Sequence, residues 1–390
     1  MKNSADKHAH EDRPLAHLGG ISARKFLRDY WQKKPLLIHR AFPQFTDPLD
    51  KKAVLALASR EDAESRLIAN DGGHWRMTHG PFSRRDFNSV KDTKWTVLIQ
   101  DTQHFSRAAH DVLAQFSFIP HARVDDLMVS YAVPGAGVGA HFDSYDVFLL
   151  QGAGKRRWRI SAQTDLRLKA GMPLKILARF KPEQEYVLET GDMLYLPPGF
   201  AHDGIAETES LTWSIGFRAP SAQELSVAML DYLRDEVDFG GQYRDPDLVP
   251  SRNPGAIDTA MTEKATTLLA SMRAAAADAT HIKRCLGRML TEPKPHVFFD
   301  TPDPALTTAN FRARALSHGV ELDLKSRLLY DTDLFYFNGA ELEANPFDTM
   351  YLRQLADTRH LPPGVLAIVA ESPLLTTLFD AYREGWLQLA

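Results

Sequence analysis

Two histidines and one aspartate are the residues here whose types and spacing could do chemistry. His141 and Asp143 sit one residue apart in AHFDSYDVFLLQ, and His202 ends the stretch GDMLYLPPGFAH, 59 residues beyond Asp143. Two imidazoles and a carboxylate on one side of a metal leave the opposite coordination positions open. That facial arrangement suits Fe(II), because O2 and an organic co-substrate can share the open positions. Zinc hydrolysis would call for an HExxH helix or a Cys-rich clip, and the sequence has neither. The H-x-D pattern is weak alone, since it recurs at His10 and Asp12. Its surroundings strengthen it. A glycine-rich turn, PGAGVG, allows close backbone approach just before His141, and an apolar strand follows. Residues two apart on a strand share a face, so His141 and Asp143 are expected to point together with Phe142 opposite. In the second stretch Gly191–Asp192 reads as a turn, MLYLP as a strand and PPG as a rigid bend that delivers His202.

Four cations follow closely: Lys155, Arg156, Arg157 and Arg159, with Trp158 among them. Strand parity puts Arg156 on the face of Trp158 and Ile160, which belong in a core, and sends the other three to solvent. A buried arginine without a partner is very costly, so Arg156 needs a carboxylate. That carboxylate is either an internal Asp or Glu or part of a ligand, which guanidinium binds through two parallel hydrogen bonds. A barrel with a 2-His-1-Asp metal and an inward arginine suits a dicarboxylic 2-oxo acid. One end would chelate the metal and the other would pair with Arg156.

Short strands must position these groups. Between Trp95 and Pro220 the runs TVLIQ, DDLMVSYAV, YDVFLLQ, KRRWRI, EYVLE, DMLYLPP and LTWSIGF are separated by glycine and proline turns, a spacing that favours a barrel or sandwich over a parallel sheet. Upstream, Ser22 is expected to cap a short helix, Leu36–His39 to form a strand, and Asp50–Ser59 another helix. After Pro220, Ser221 and Glu224 form a capping box before LSVAMLDYLRDEV, and Ile257–Met289 reads as further helices. TEPKPHVFFDTPDP reads as a linker. The tail reads as a helix near LTTANFRARALSHG, two strands (VELDLKSRLLY and DLFYFNGAELE) and two more helices.

Bulk properties narrow the classes. A single cysteine, Cys285, excludes a disulfide framework or a Cys-rich zinc site and suits a reducing compartment. No window is apolar enough for a membrane span, and the polar N-terminal stretch has no signal-peptide core. Net charge is −4, and from Thr301 onward seven Lys and Arg face twelve Asp and Glu, a net of −5. An acidic C-terminal third is a poor phosphate binder and suits a basic protein partner.

PGAGVGAHFDSYDVFLLQGAGKRRWRI, taken with GDMLYLPPGFAHDGIA, resembles the JmjC branch of the cupin superfamily. More narrowly it resembles the bacterial ribosomal oxygenases, which hydroxylate an arginine of large-subunit ribosomal protein sixteen. RDYWQKKPLLIHRAF, ESRLIANDGGHWRMTHGPF, VDDLMVSYAVPG and WSIGFRAPS carry the likeness from about Phe26 to Ser221. The resemblance implies an α+β fold: a double-stranded β-helix (cupin/JmjC) barrel with a helical dimerisation region and a C-terminal winged-helix-like domain. The expected parts are a disordered leader over 1–20, the catalytic domain over 21–220, the dimerisation region over 221–295 and the winged-helix-like domain over 296–390. It further implies Fe(II) at His141, Asp143 and His202, and 2-oxoglutarate anchored by Arg156 with help from Ser130 and Thr212; Tyr131 is the alternative to Ser130. O2 would be the second co-substrate, a ribosomal protein of the large subunit the substrate, and a cytoplasmic homodimer the working form. Asp146 and Asp126 read first as solvated strand ends and second as candidates for meeting an arginine at the barrel mouth. No direct DNA binding is expected of the acidic tail. The alternatives are the same chemistry on a histidine or N-methyl group, or a non-catalytic scaffold that binds a basic protein. His74, His79, His104, His110 and His121 read as surface or structural residues, and Asn338–Gly339 as a hairpin turn.

Overall fold

In the computed structural model, which describes residues 12–390, the β signal resolves into two packed sheets. The larger runs in the order β1 (Leu36–Ile38), β9 (Met193–Leu196), β6 (Asp146–Ala153), β11 (Ser210–Phe217), β5 (Val124–Ala132), β4 (Lys94–Ile99), β2 (Ser65–Asp71) and β3 (His74–His79). The smaller holds β10 (Ala201–Ala206), β7 (Arg156–Ser161) and β8 (Gln184–Leu188). Every pairing in both is antiparallel, the architecture of a double-stranded β-helix. An aromatic-rich core containing Phe26, Phe116, Phe148, Trp213 and Phe217 supports the outer face of the larger sheet. Between the sheets Val147, Leu149, Trp158, Ile160 and Leu194 form a second cluster.

The hairpin β2–β3 was not expected from strand periodicity, although Gly72–Gly73 between its strands is a turn signal, with φ of 57° and 97°. Ser22 caps the helix Ala23–Asp29 as expected, and Asp50, read as the first residue of the next helix, caps Lys51–Leu57.

The disordered leader expected over residues 1–20 does not hold for residues 14–20. Residues 1–11 lie outside the described residues, but Pro14 pairs with Ser22, Ala16–Leu18 forms a turn of 3-10 helix, and Leu18 is buried in the aromatic core. Apolar Leu15 and Leu18 anchor a segment whose composition reads as polar. His17 goes in with them, among Phe42, Phe116 and Phe118, and burial lowers its pKa to about 4. Its ordinary value is 6.5, so the unfolded chain takes up this proton first as pH falls. The stability due to neutral His17 is therefore complete above pH 6.5 and is lost as pH falls toward 4. His17→Phe is expected to flatten this part of the melting temperature against pH profile, as read by thermal denaturation.

Contacts divide the chain into two units: one ends at Ala219 and takes in Pro295–Phe298, and the other comprises Pro220–Lys294 with Phe299–Ala390. In the second unit the capping box is present: Ser221 Oγ accepts from Glu224 N–H (3.2 Å) and Glu224 Oε2 from Ser221 N–H (2.8 Å), opening the helix Ala222–Glu236. Three helices follow, Thr259–Leu268, Ala270–Ala277 and Ala279–Thr291. The tail's expected two strands are each broken into short segments. Val320–Leu322 pairs with His360–Leu361 and Leu387–Leu389, while Leu328–Tyr330, Phe335–Phe337 and Ala340–Leu342 form a meander. Asn338 and Gly339 make its tight turn, with φ of 48° and 89°.

The boundary expected at 295/296 cuts through one packed body. Gly287, on the helix Ala279–Thr291, lies so close to Tyr336 that an added Cβ would sit 2.4 Å from its ring. On the same helix Thr291 Oγ1 accepts from Gly339 N–H at 3.0 Å, and Arg288 Nε donates to Glu341 at 2.8 Å. This helix belongs to the strand-bearing domain.

Candidate active site

The three putting-together steps for His141, Asp143 and His202 are made by backbone. His141 and His202 exchange both backbone hydrogen bonds, at 2.9 and 2.8 Å, in an isolated bridge across the barrel mouth. Gly199 N–H, in the Pro-Pro-Gly bend, donates to Asp143 O at 2.8 Å. His202 is the second residue of β10, whereas His141 and Asp143 precede β6 outside any named strand. The two do converge, but the loop ties cause it and not the strand parity expected of them. The glycine-rich turn acts as expected: a Cβ at Gly137 would meet the Gly204 carbonyl oxygen at 2.3 Å, so only glycine lets the two backbones come this close.

Asp143 Oδ2 lies 4.0 Å from His141 Nε2 and 3.5 Å from His202 Nε2, and one ligand atom from each residue falls within 4.8 Å of the others. Each Nδ1 lies 2.9 Å from a backbone oxygen, that of Gly139 for His141 and of Phe200 for His202. Those acceptors hold the proton on Nδ1 and leave the Nε2 lone pairs facing Asp143, which is the tautomer a metal needs. Burial, aided by the His141 charge, lowers the His202 pKa to about 4, so its imidazole is neutral at physiological pH. Among the described residues this is the one His/Cys/Asp/Glu group able to hold a metal ion. The donor set and its spacing fit a facial Fe(II) site with open positions.

A cavity of about 440 Å³ opens beside these groups, and Arg156, Ser130 and Trp158 form part of its wall. Strand parity holds in β7: Arg156, Trp158 and Ile160 are buried, and the residues between them face outward. Lys155 pairs with Glu189, and Arg157 with Glu185 and Glu207. Arg159 departs from the expected solvated state: it is half-buried against buried Asp203. Among the described residues Arg156 has no carboxylate in hydrogen-bond reach. Its Nη1 donates to Ser130 Oγ (3.3 Å) and Thr212 Oγ1 (3.0 Å), and its Nε is buried without a partner. Burial pulls the guanidinium down to about 10, opposed by the Asp203 charge, and it stays a cation at neutral pH. Nε and Nη2 remain as the paired donors a carboxylate takes. The orphaned donor in a cavity wall fits a dicarboxylate better than an internal ion pair.

Ser130 and Thr212 are cross-strand partners on β5 and β11, but they do different things. Ser130 lines the cavity, while Thr212 sits behind the guanidinium. Tyr131 faces the other way, packed on Trp95 with Lys51 over its ring, so it is not an alternative to Ser130. Asp126 lines the cavity and accepts from Gln100 Nε2 at 2.6 Å. Asp146 does not: it is wholly buried on the opposite face, accepting from Tyr195 Oη (2.6 Å) and Gln32 Nε2 (2.9 Å). Asp146 starts β6 one residue before Val147, and that parity turns it into the aromatic core. Met128 and Tyr145 were missed, though both line the cavity. Met128 lies between Asp126 and Ser130 at period two on one strand, a signal present in DDLMVSYAV.

Gly204 faces Trp158 across the β7–β10 pair, and a Cβ there would sit 2.6 Å from the indole. Gly204→Ala is expected to push Trp158 from its place between His202 and Arg156 and to lower stability by about 1–3 kcal/mol, measured by denaturant unfolding.

Comparison with known proteins agrees with this geometry. Residues 111–225 match the JmjC domain family and 274–388 the ROXA-like winged helix. Over 282 residues the chain is 34% identical to the ribosomal protein uL16 3-hydroxylase of Escherichia coli K12, covering 72% of this chain and 74% of that one. It belongs to the JmjC ribosomal oxygenase family. A probable ribosomal oxygenase of Haemophilus influenzae is 36% identical over 242 residues, or 58% of this chain and 55% of that one. The crystal structure of the E. coli ribosomal oxygenase YcfD superposes with a TM-score of 0.83 at 30% identity, covering 95% of this chain and 98% of that one. A YcfD complex with cobalt and 2-oxoglutarate gives 0.80 at 30% identity, covering 94% and 97%. The winged-helix match starting at residue 274 takes in the helix Ala279–Thr291, as its packing does. The chain itself brings together a His141–Asp143–His202 set of candidate metal ligands and the inward Arg156.

Proposed function

We propose that this protein is an Fe(II)- and 2-oxoglutarate-dependent hydroxylase acting on an arginine side chain of a large-subunit ribosomal protein. The observation that carries the reading is one cavity that holds the His141–Asp143–His202 set and the carboxylate-free Arg156. The E. coli relative's hydroxylation of uL16 supports the substrate class. Bound Fe(II) would couple the decarboxylation of 2-oxoglutarate to succinate and CO2 with transfer of one oxygen atom from O2 to a substrate C–H bond.

The chain's own groups orient and select. His141, Asp143 and His202 hold the metal with their other ring or backbone atoms fixed. Arg156 takes the distal carboxylate of the 2-oxo acid, and Ser130 flanks it. Buried Asp126, with Met128 and Tyr145, forms an acidic, apolar-sided subsite suited to a guanidinium on an alkyl stem. Burial and the Asp143 and Asp126 charges push the Tyr145 phenol up, so it stays neutral and able to donate.

Exposed Val227 and Leu230, one turn apart on the helix Ala222–Glu236, support a homodimer, since neighbouring exposed apolar side chains call for a cover. A ribosomal substrate would place the work in the cytoplasm, and no described helix is long and apolar enough to cross a membrane.

The test is turnover on a peptide from the corresponding ribosomal-protein loop, with Fe(II), 2-oxoglutarate and O2, followed by mass spectrometry. Addition of one oxygen atom to arginine supports the reading. Succinate formed without any modified peptide would keep the oxygenase and discard the substrate. Asp126→Asn is expected to raise KM for the peptide by about tenfold while peptide-independent succinate formation continues, which steady-state assays of both products would show.

A further inference from the structure

The two hydroxyls against Arg156 are not equivalent, and a residue outside the cavity makes the difference. Gln151, on β6, is fully buried, and its Nε2 donates to the carbonyl oxygens of Ala153 (2.7 Å) and Leu211 (3.1 Å). Carbonyl oxygens only accept, so these two contacts fix which end of the amide is which. The β6–β11 register shifts between Leu211 and Thr212, and the irregularity brings Gln151 its carbonyl partners. Oε1 then faces the Thr212 hydroxyl at 3.3 Å. Oε1 cannot donate, so Thr212 gives its proton to Gln151 and has only lone pairs left for Arg156 Nη1. Nη1 carries two N–H groups, and the other is directed at Ser130 Oγ. Ser130 therefore also accepts from the guanidinium, but its own proton has no acceptor among the described residues, and it is on the cavity wall.

We propose that Gln151 is a positioning residue for the co-substrate. By claiming the Thr212 proton it makes Thr212 a fixed acceptor for Nη1. That contact holds the Nε and Nη2 donors of Arg156 for the distal carboxylate and leaves Ser130 as the hydroxyl that donates to it. The inference rests on reading the cavity as the 2-oxoglutarate site. Without Gln151 the Thr212 hydroxyl is free to rotate, and it can offer Arg156 a proton instead of a lone pair.

The experiment is calorimetric titration of 2-oxoglutarate into the full-length protein loaded with Co(II), without O2. It compares wild type with Gln151→Met, Thr212→Val, Ser130→Ala and the two double variants that contain Gln151→Met. Each single change is expected to weaken binding by about tenfold, the worth of one hydrogen bond to a charged group. Gln151 acts through Thr212, so adding Gln151→Met to Thr212→Val should cost at most about twofold more, whereas its loss should multiply with that of Ser130→Ala. Wild-type affinity in Gln151→Met overturns the proposal, as does full multiplication with Thr212→Val, the mark of a merely structural glutamine. Either result leaves 2-oxoglutarate binding by the wild type intact. No binding by the metal-loaded wild type overturns both the functional reading and the proposal. Should Gln151→Met fail to fold, Thr212→Ser against Thr212→Val carries the test: serine should restore most of the affinity, and undiminished binding by the valine variant overturns the proposal.

Discussion

Asp143→Ala is expected to lose metal binding and turnover together, with succinate formation down by at least about a hundredfold, while the melting temperature of the metal-free protein barely moves. Asp143 supplies the one carboxylate of the set, 3.5 and 4.0 Å from two imidazole nitrogens. Two neutral imidazoles alone neither complete a facial site nor offset the charge of a divalent cation. The fold does not depend on this side chain. Asp143 is held through its backbone oxygen by Gly199 N–H, a bond alanine keeps, and its carboxylate is part-exposed. His202→Ala would be a poorer probe, because its ring is fully buried against His141 and Trp158 and truncation would leave a void. Metal content, product mass spectrometry and thermal denaturation of one preparation read all three expectations. A variant that still held iron and still hydroxylated would remove Asp143 from the site.

Arg156→Met is expected to have opposite effects on function and on stability. Affinity for 2-oxoglutarate should fall by at least about a hundredfold, since the charge-assisted pair to the distal carboxylate is lost with no substitute. The ligand-free protein, by contrast, should melt at a higher temperature. Arg156 is 5% exposed, its Nε is unpartnered, and burial drags its pKa down, so the ligand-free protein carries a buried cation only partly offset by the Asp203 charge. Methionine fills similar volume beside Trp158 without that penalty. Calorimetric binding and thermal melts on the same variant check the two signs. A fall in melting temperature would mean that the Ser130 and Thr212 contacts already satisfy the guanidinium. Arg156→Lys should keep the charge, lose the paired geometry and fall between the two proteins in affinity.

Much of this site was legible because β-strands convert sequence parity into direction. Arg156 separated from Arg157 and Arg159 on that ground alone, and the structure places it inward as parity requires. Parity was silent where chain leaves the strands. His141 and Asp143 converge through bridge and loop hydrogen bonds that no local pattern encodes. Asp146 was misplaced for a related reason: its proximity to Asp143 in sequence suggested the cavity, whereas the first residue of β6 faces Tyr195 and Gln32. The hairpin at Ser65–His79 was overlooked because its outer strand, β3, offers only two apolar residues, the half-buried Trp75 and Met77, among exposed polar ones. Gln151 could be seen as a polar end to an apolar run, but its role depends on a register shift that only the paired strands reveal.

The return of residues 295–298 to the first unit bears on how the chain can be cut. His296 Nε2 lies 3.3 Å from Asp101, which is 1% exposed, and Nδ1 lies 3.7 Å from Glu64. A fragment stopping at Ala219 would contain every barrel strand and every candidate ligand, yet it would strip this histidine from a nearly inaccessible carboxylate. The catalytic half is thus discontinuous in sequence, completed by a tetrapeptide encoded 75 residues after the point where the barrel unit appears to finish. Gene dissection or domain shuffling at that apparent end would part the barrel from a piece of itself.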